Sequence, residues 1–348
     1  MLLTCSTSLA LDTGEPEIRA FIDAMVADHG FDRESVETAL AGAERQQKII
    51  DAISKPAEKT LTWAEYRRIF ITPERIAAGA AFWQEHGEML RDIAGRTGVP
   101  EEILVGIIGV ETYYGRITGS YRVIDALSTL AFYYPPRAAF FRKELVEFLL
   151  LVREEGMPAD AATGSYAGAM GRPQFMPSSY RAYAVDATDD GRRDIWEDWT
   201  DVAGSIANYF DAHGWQAGEE VVARATLGSR WQGAAPEPAN VLKPDGTVAS
   251  LSGAGVVFAT ELPPDAEAAL LAYAGNDGPE YWVGFHNFFV ITRYNRSAMY
   301  ALAVHQLGQE VALAVDKAAA DAASAPPASD PETAPEADVP ETESDAAD

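Results

Sequence analysis

Glu111 sits in the stretch "VGIIGVETYYGR" (residues 105–116), where a single carboxylate follows directly on a run of aliphatic and glycine residues. An acid in such surroundings costs free energy unless it is paired, protonated or used. Counted on a helix that begins at Pro100, Leu104, Ile107, Ile108 and Glu111 share one stripe at three- and four-residue spacing. The carboxylate therefore continues an apolar face. Gly106 and Gly109 each cost about 1 kcal/mol of helix propensity, which implies that another element passes close to the backbone there. These residues alone leave two uses open. Glu111 is either a helix-end glutamate that reaches water or an arginine such as Arg116, or a general acid whose pKa desolvation raises, as a glycosidase needs near neutral pH.

A second constellation is "DATDDGRRDIWE", residues 186–197. Against a twelve-residue calcium loop, Asp186 takes position 1, Thr188 position 3, Asp190 position 5 and Gly191 the glycine at position 6. Arg192 supplies a backbone carbonyl at position 7, Asp194 falls at position 9, and Glu197 closes the loop at position 12. Hard oxygen ligands at this spacing suit Ca²⁺. The loop stands alone, whereas sensors carry paired loops, so one structural ion is expected rather than a switch.

Other chemistries drop out. The five histidines are scattered, with no ligand pair at helical spacing. Ser165 lies in "GSYAG", which lacks the glycine two residues before the serine that a nucleophile elbow needs. There is no phosphate loop and no dinucleotide fingerprint. Lys and Arg number 27 against 53 Asp and Glu, a formal net charge of −26 over 348 residues, which argues against nucleic acid and anionic membrane surfaces. The single cysteine, Cys5, excludes an intramolecular disulfide; as a lipid-attachment cysteine it follows Leu2-Leu3-Thr4 poorly and reads as incidental.

The elements that must position these residues are mostly helical. "EPEIRAFIDAMVADHG" places Ile18, Phe21, Ile22 and Met25 on one face and ends on Gly30. Thr72 and Pro73 open the next long helix as cap and first-turn residue. Between 216 and 280 the pattern changes: "EEVVARATL", a "KPDGTV" turn and "GAGVVFAT" read as short strands around a hairpin. "YWVGFHNFFVITRYN" then reads as extended before a closing helix, with Trp282, Phe285, Phe288 and Phe289 assigned to packing. The predicted organisation has a helical lobe over 15–95, a core over 96–215, a β-rich insertion over 216–280, and a return to the core with a closing helix over 281–316. The alanine-, proline- and acid-rich stretch 317–348 holds nine acids against one lysine and is expected to be disordered. Residues 1–14 contain Ser8-Leu9-Ala10, a small-x-small pattern like the end of an export signal, without a basic start. They read either as the remnant of a truncated signal or as a plain frayed terminus. No stretch is long and apolar enough for a transmembrane helix.

"VGIIGVETYYGR", "GSYAGAMGRPQFMPSSYRAYAVD" running into the calcium loop, "SIANYFDAHGW" and "ITRYNRSAMYALAVHQL" resemble, in the same order and at similar spacing, the lytic murein transglycosylase B family, over residues 60–312. The resemblance implies a mainly α (α+β) chain: a lysozyme-like helical core with an N-terminal helical lobe, a small β-rich lobe and a calcium-binding loop. It implies that Glu111 is the single catalytic acid, and that Tyr66, Ser165, Gln174, Tyr209, Tyr294, Asn295 and Tyr300 line the sugar-binding cleft. Two departures bear on detail. Tyr113-Tyr114 and Arg172-Pro173 stand where family members vary. The stretch after Trp196 is longer than in some relatives, so Glu197, Asp198 and Asp201 all compete to be the last calcium ligand.

Ordinary glycosidases use two carboxylates. None stands near Glu111 in sequence, and none in residues 164–180. That fits the family's reaction, in which one glutamate protonates the bond between N-acetylmuramic acid and N-acetylglucosamine. The same group then deprotonates the C6 hydroxyl that closes a 1,6-anhydro ring, with proximity in its favour. The expected partners are peptidoglycan glycan strands, met by a monomer in the periplasm, either free or associated with the membrane. A hydrolytic muramidase and a non-catalytic peptidoglycan binder stay as alternatives.

Overall fold

Pro16, Gly30, Thr72, Pro73 and Pro100 punctuate the first hundred residues, and the chain obeys them. The computed structural model describes residues 9–55 and 61–324; Cys5, Ser8 and the tail beyond residue 324 lie outside that range. Strand β1 (Leu9–Ala10) precedes helices α1 (Pro16–His29) and α2 (Arg33–Ala41), strand β2 (Glu44–Arg45) and α3 (Gln47–Ile53). Next come α4 (Trp63–Phe70), α5 (Pro73–Thr97) and α6 (Glu101–Thr112). Gly30 ends α1 in the left-handed conformation, Thr72 caps α5 through the N–H of Arg75, and Pro100 is the residue before α6. Ile18, Phe21, Ile22 and Met25 are all buried, as their spacing demands. β1 pairs antiparallel with β2, and Leu11 is buried beside them, so part of segment 1–14 is stitched to the body.

The middle of the chain adds β3 (Tyr121–Arg122), α7 (Val123–Tyr133), α8 (Ala138–Glu155), β4 (Thr163–Gly164), α9 (Pro177–Tyr183) and α10 (Trp199–Ala212). Helix α6 is buried on every side from Ile103 to Val110, so the single apolar stripe read from sequence understates its burial. The small residues at Gly106 and Gly109 have a partner: a Cβ on Gly106 would meet the Val304 carbonyl at 2.4 Å, and one on Gly109 the Leu307 side chain at 2.8 Å. The reciprocal contact is closer still, with Gly308 against the Glu102 carbonyl at 2.0 Å. Two helices thus cross backbone to backbone. Within segment 15–95, β2 and α3 rest against α7, while α4 and α5 pack on the closing helix.

The β-rich insertion is a five-stranded antiparallel sheet. Its strands are β5 (Val222–Leu227), β6 (Gly246–Thr247), β7 (Val256–Val257), β8 (Glu267–Gly275) and β9 (Gly278–Phe285), in the order β6-β8-β9-β5-β7, with a short helix α11 (Val248–Ala254) beside them. Its main hairpin, β8–β9, turns at Asn276-Asp277, so the predicted boundary at 280 falls inside a strand. The extended reading of 281–295 is corrected after Phe285. Residues His286–Tyr294 form α12, followed by α13 (Ala298–Ser324). The stretch is apolar on both periods and carries no capping side chain, which is why it reads as a strand. Buried Asn287 fixes the turn of helix by binding the backbone of Gln216 and Glu219. Helix α13 also runs through Ser324, so residues 317–324 are helical rather than disordered.

Candidate active site

Glu111 stands in the last turn of α6, half-buried, and its Oε1 accepts a hydrogen bond from the Tyr300 hydroxyl of α13 at 2.6 Å. Burial and the neighbouring Glu111 charge push the Tyr300 phenol well above its ordinary pKa, so it remains a neutral donor. The backbone around this pair is unusual. Tyr113, Tyr114 and Gln174 all adopt left-handed φ values near +50 to +57°, rare for residues with a Cβ. Tyr113 ends α6 that way, and its ring is contacted by the guanidinium groups of Arg75 and Arg116, at 4.6 and 5.0 Å. Arg75 also donates to the Gly109 carbonyl at 3.0 Å, tying down the C-terminal turn of the helix.

Beside Glu111 runs a file of aromatics. Tyr300 stacks on Tyr294 at 6.5 Å, Tyr294 meets Tyr209 at 4.9 Å, and Tyr209 stacks on His213 at 4.1 Å. The hydroxyls of Tyr209 and Tyr294 donate to the backbone carbonyls of Arg293 and Pro173, both at 2.7 Å. Burial raises both phenols in pKa. Tyr66 is fully buried on α4 among Trp63 and Phe70.

Gln174 donates to the carbonyls of Thr118 and Gly171. Ser165 Oγ accepts the N–H groups of Ala167 and Ala169, closing the turn that follows β4. Asn295 lines a pocket of about 580 Å³ with Trp63, Asn240 and Tyr273. The sequence-predicted residues are thus brought together in part: Tyr300, Tyr294 and Tyr209 with Glu111, Gln174 and Ser165 in loops that shape backbone, and Asn295 at the neighbouring pocket.

Two acids that could have served as a partner to Glu111 are committed elsewhere. Asp125 is buried against Arg122 and the N–H of Glu44, and Glu144 accepts from Ser178. Sequence reasoning missed Arg75, Thr112 and Arg172. Thr112 Oγ1 donates to the Arg172 carbonyl at 3.2 Å, while Arg172 lies 4.1 Å over Trp199 and binds Glu197. No spacing rule signals such contacts, because they join segments distant in sequence.

The 186–201 loop closes on itself. Asp186 accepts the N–H groups of Asp190 and Gly191, with Thr188 Oγ1 at 3.2 Å, and Asp190 accepts from Arg192. Glu197, the position-12 candidate, turns outward to Arg172 with its side chain 82% exposed. Asp198 caps α10. It is Asp201, buried in the first turn of α10, that reaches back to the N–H groups of Ala187, Thr188 and Asp194. Burial raises its carboxyl in pKa against those donors. Among the described residues, no three Asp, Glu, His or Cys side chains converge as a preformed metal centre. The oxygen donors are nevertheless all of the hard kind that calcium takes.

Residues 13–309 match the family model described as "Transglycosylase SLT domain". The chain is 43% identical over 308 residues to the membrane-bound lytic murein transglycosylase B of Escherichia coli K12, covering 86% of this chain and 83% of that one. Its fold is similar to the crystal structure of soluble lytic transglycosylase SltB1 from Pseudomonas aeruginosa, with 51% identity and a TM-score of 0.80 over 86% of this chain and 99% of that one. It is also similar to the Escherichia coli lytic transglycosylase Slt35 in complex with calcium, at 42% identity and a TM-score of 0.79, over 91% and 100% of the two chains.

Proposed function

From the premise that this chain belongs to the transglycosylase SLT domain family, we propose that it cleaves peptidoglycan with Glu111 as the only acid–base group. Glu111 donates its proton to the glycosidic oxygen between N-acetylmuramic acid and N-acetylglucosamine. It then takes the proton of the muramic C6 hydroxyl, which attacks C1 and closes the 1,6-anhydro ring. Water is not consumed, so no second carboxylate has to hold it. The observation that carries this reading is the 2.6 Å bond from neutral Tyr300 to Glu111, which orients the carboxylate in the last turn of α6.

Tyr209, Tyr294 and Tyr66 support the cleft from behind, since their rings are packed and the first two spend their hydroxyls on backbone carbonyls. Ser165, Gln174 and Asn295 lie at its loops and adjoining pocket and are assigned to sugar binding. Calcium, where bound, would supply charge that holds the 186–201 loop closed; the residues to hold it are Asp186, Thr188, Asp190, the Arg192 carbonyl and Asp201 in place of Glu197. We read the chain as an exported periplasmic protein, because its substrate lies there. Among the described residues no helix is long and apolar enough to cross a membrane.

The test is digestion of purified sacculi by the wild type and by Glu111→Gln, with soluble products identified by mass spectrometry. The expected result is 1,6-anhydromuropeptides that disappear in the variant. Reducing-end products would make the protein a muramidase, and sedimentation with sacculi without release would make it a binder.

A further inference from the structure

Glu197 closes the calcium loop by sequence, yet a cation from outside the loop takes it. Arg172 Nη1 donates to the Glu197 carbonyl at 2.5 Å, and Nη2 to its Oε2 at 3.1 Å. The Glu197 N–H is spent as well, on Asp194 Oδ1 at 2.8 Å. That oxygen also accepts from the N–H of Trp196, so the position-9 carboxylate is turned onto the end of the loop. Both acids of the loop's second half are thus committed, and Asp201 does the reaching back.

The place that holds Arg172 is shaped for a guanidinium. Its side chain is 16% exposed and lies 4.1 Å over the ring of Trp199, the first residue of α10. Gly115 makes the room, since a Cβ there would stand 3.1 Å from Trp199 and 3.4 Å from Arg172 Nε. The charges that draw on the guanidinium are those of Glu197, Asp194 and Asp198. The Arg172 backbone is tied on both sides too: its N–H donates to the Ile195 carbonyl at 2.9 Å, and its carbonyl accepts from Thr112, the neighbour of Glu111. The Glu197 carboxylate is exposed, so charge alone would hold it weakly. What decides is the fork, because one planar group fixes a carbonyl and a carboxylate of the same residue at once.

We propose that Arg172 is a built-in counter-cation of the 186–201 loop, which holds Glu197 out of the calcium ligand set and keeps the second half of the loop folded without the ion. Calcium then gains Glu197 only by breaking the fork, and binds more weakly than the loop's sequence would allow. Pro173 and Gln174, which follow Arg172 in the cleft wall, keep their place whether or not the ion is bound. The proposal rests on the assignment of calcium to this loop and is independent of the role given to Glu111.

The experiment is calorimetric titration of calcium into the full chain stripped with EGTA, with melting followed by circular dichroism in EGTA alone. Arg172→Gln is expected to bind calcium about tenfold more tightly than wild type, the weight of one hydrogen bond to a charged group, and to melt lower without the ion. Adding Glu197→Gln to that variant should return the affinity to within about twofold of wild type, because the gain runs through this one pair. An unchanged affinity in Arg172→Gln, or a gain that survives in the double variant, would overturn the proposal and leave the calcium site standing. Calcium binding by neither wild type nor Arg172→Gln would remove the calcium assignment itself, and the proposal with it. Glu197→Gln alone decides the matter if Arg172→Gln does not fold. An unchanged affinity with a lower metal-free melting temperature supports the proposal, whereas weakened binding would make Glu197 a ligand in the wild type and overturn it.

Discussion

Tyr300 and Glu111 are 189 positions apart in the chain and share one hydrogen bond. Tyr300→Phe keeps the ring stacked on Tyr294 and removes only the donor. A hydrogen bond to a charged group is worth about 1.5–3 kcal/mol, so the rate of sacculus solubilisation should fall roughly ten- to a hundredfold with an unchanged fold. A rate within twofold of wild type would remove Tyr300 from the machinery. In the calcium loop, Asp201→Asn should abolish the rise in melting temperature that millimolar Ca²⁺ gives, whereas Glu197→Gln should preserve it; equal loss in both would return Glu197 to the ligand set. Glu111 was legible as an acid on an apolar run. Asp201 was legible only as one of three candidates, because its direction is set by the first turn of α10 and by the backbone it caps, not by spacing. Arg75 and Thr112 were not legible at all, since what they bind is a carbonyl.

At the scale of elements, the α6–α13 crossing is the contact on which the site depends. Gly106→Ala would drive a methyl into the Val304 carbonyl, with backbone on both sides and nothing flexible to yield. Overpacking of this kind costs about 1–3 kcal/mol, and here Tyr300 moves with α13. Chemical denaturation should show that loss, together with a drop in activity; Gly95→Ala, which meets open space on α5, serves as the silent control. The two glycines on an apolar helix announced that something passes close by, but not which helix. Caps and prolines placed α1, α5 and α6 correctly because their signals are local. Helix α12 escaped because its residues are apolar on every side and the side chain that secures it, Asn287, bonds to segments about 70 residues away.

For the molecule as a whole, His305 gives a pH dependence with a defined sign. Its folded pKa of about 4 lies below the ordinary value of 6.5, so the unfolded chain takes up the proton first as the pH falls. The stability held by the neutral buried ring is complete above about pH 6.5 and is lost progressively down to about pH 4. Wild type should lose up to roughly 3 kcal/mol more of unfolding free energy across that window than His305→Gln. Parallel curves would show the ring to be solvated. The mainly helical architecture with a small sheet was legible from local pattern, whereas the sharing of one core by every helix except α11, which packs on a separate small core under the sheet, was not, because core membership is a long-range property. The span between Glu111 and Tyr300 also governs timing. A chain still emerging from the ribosome has its acid long before it has the tyrosine that aims it or the helix that packs against Gly106. The Glu111–Tyr300 pair therefore forms only with the last stretch of synthesis, and fragments that stop short of residue 300 lack it.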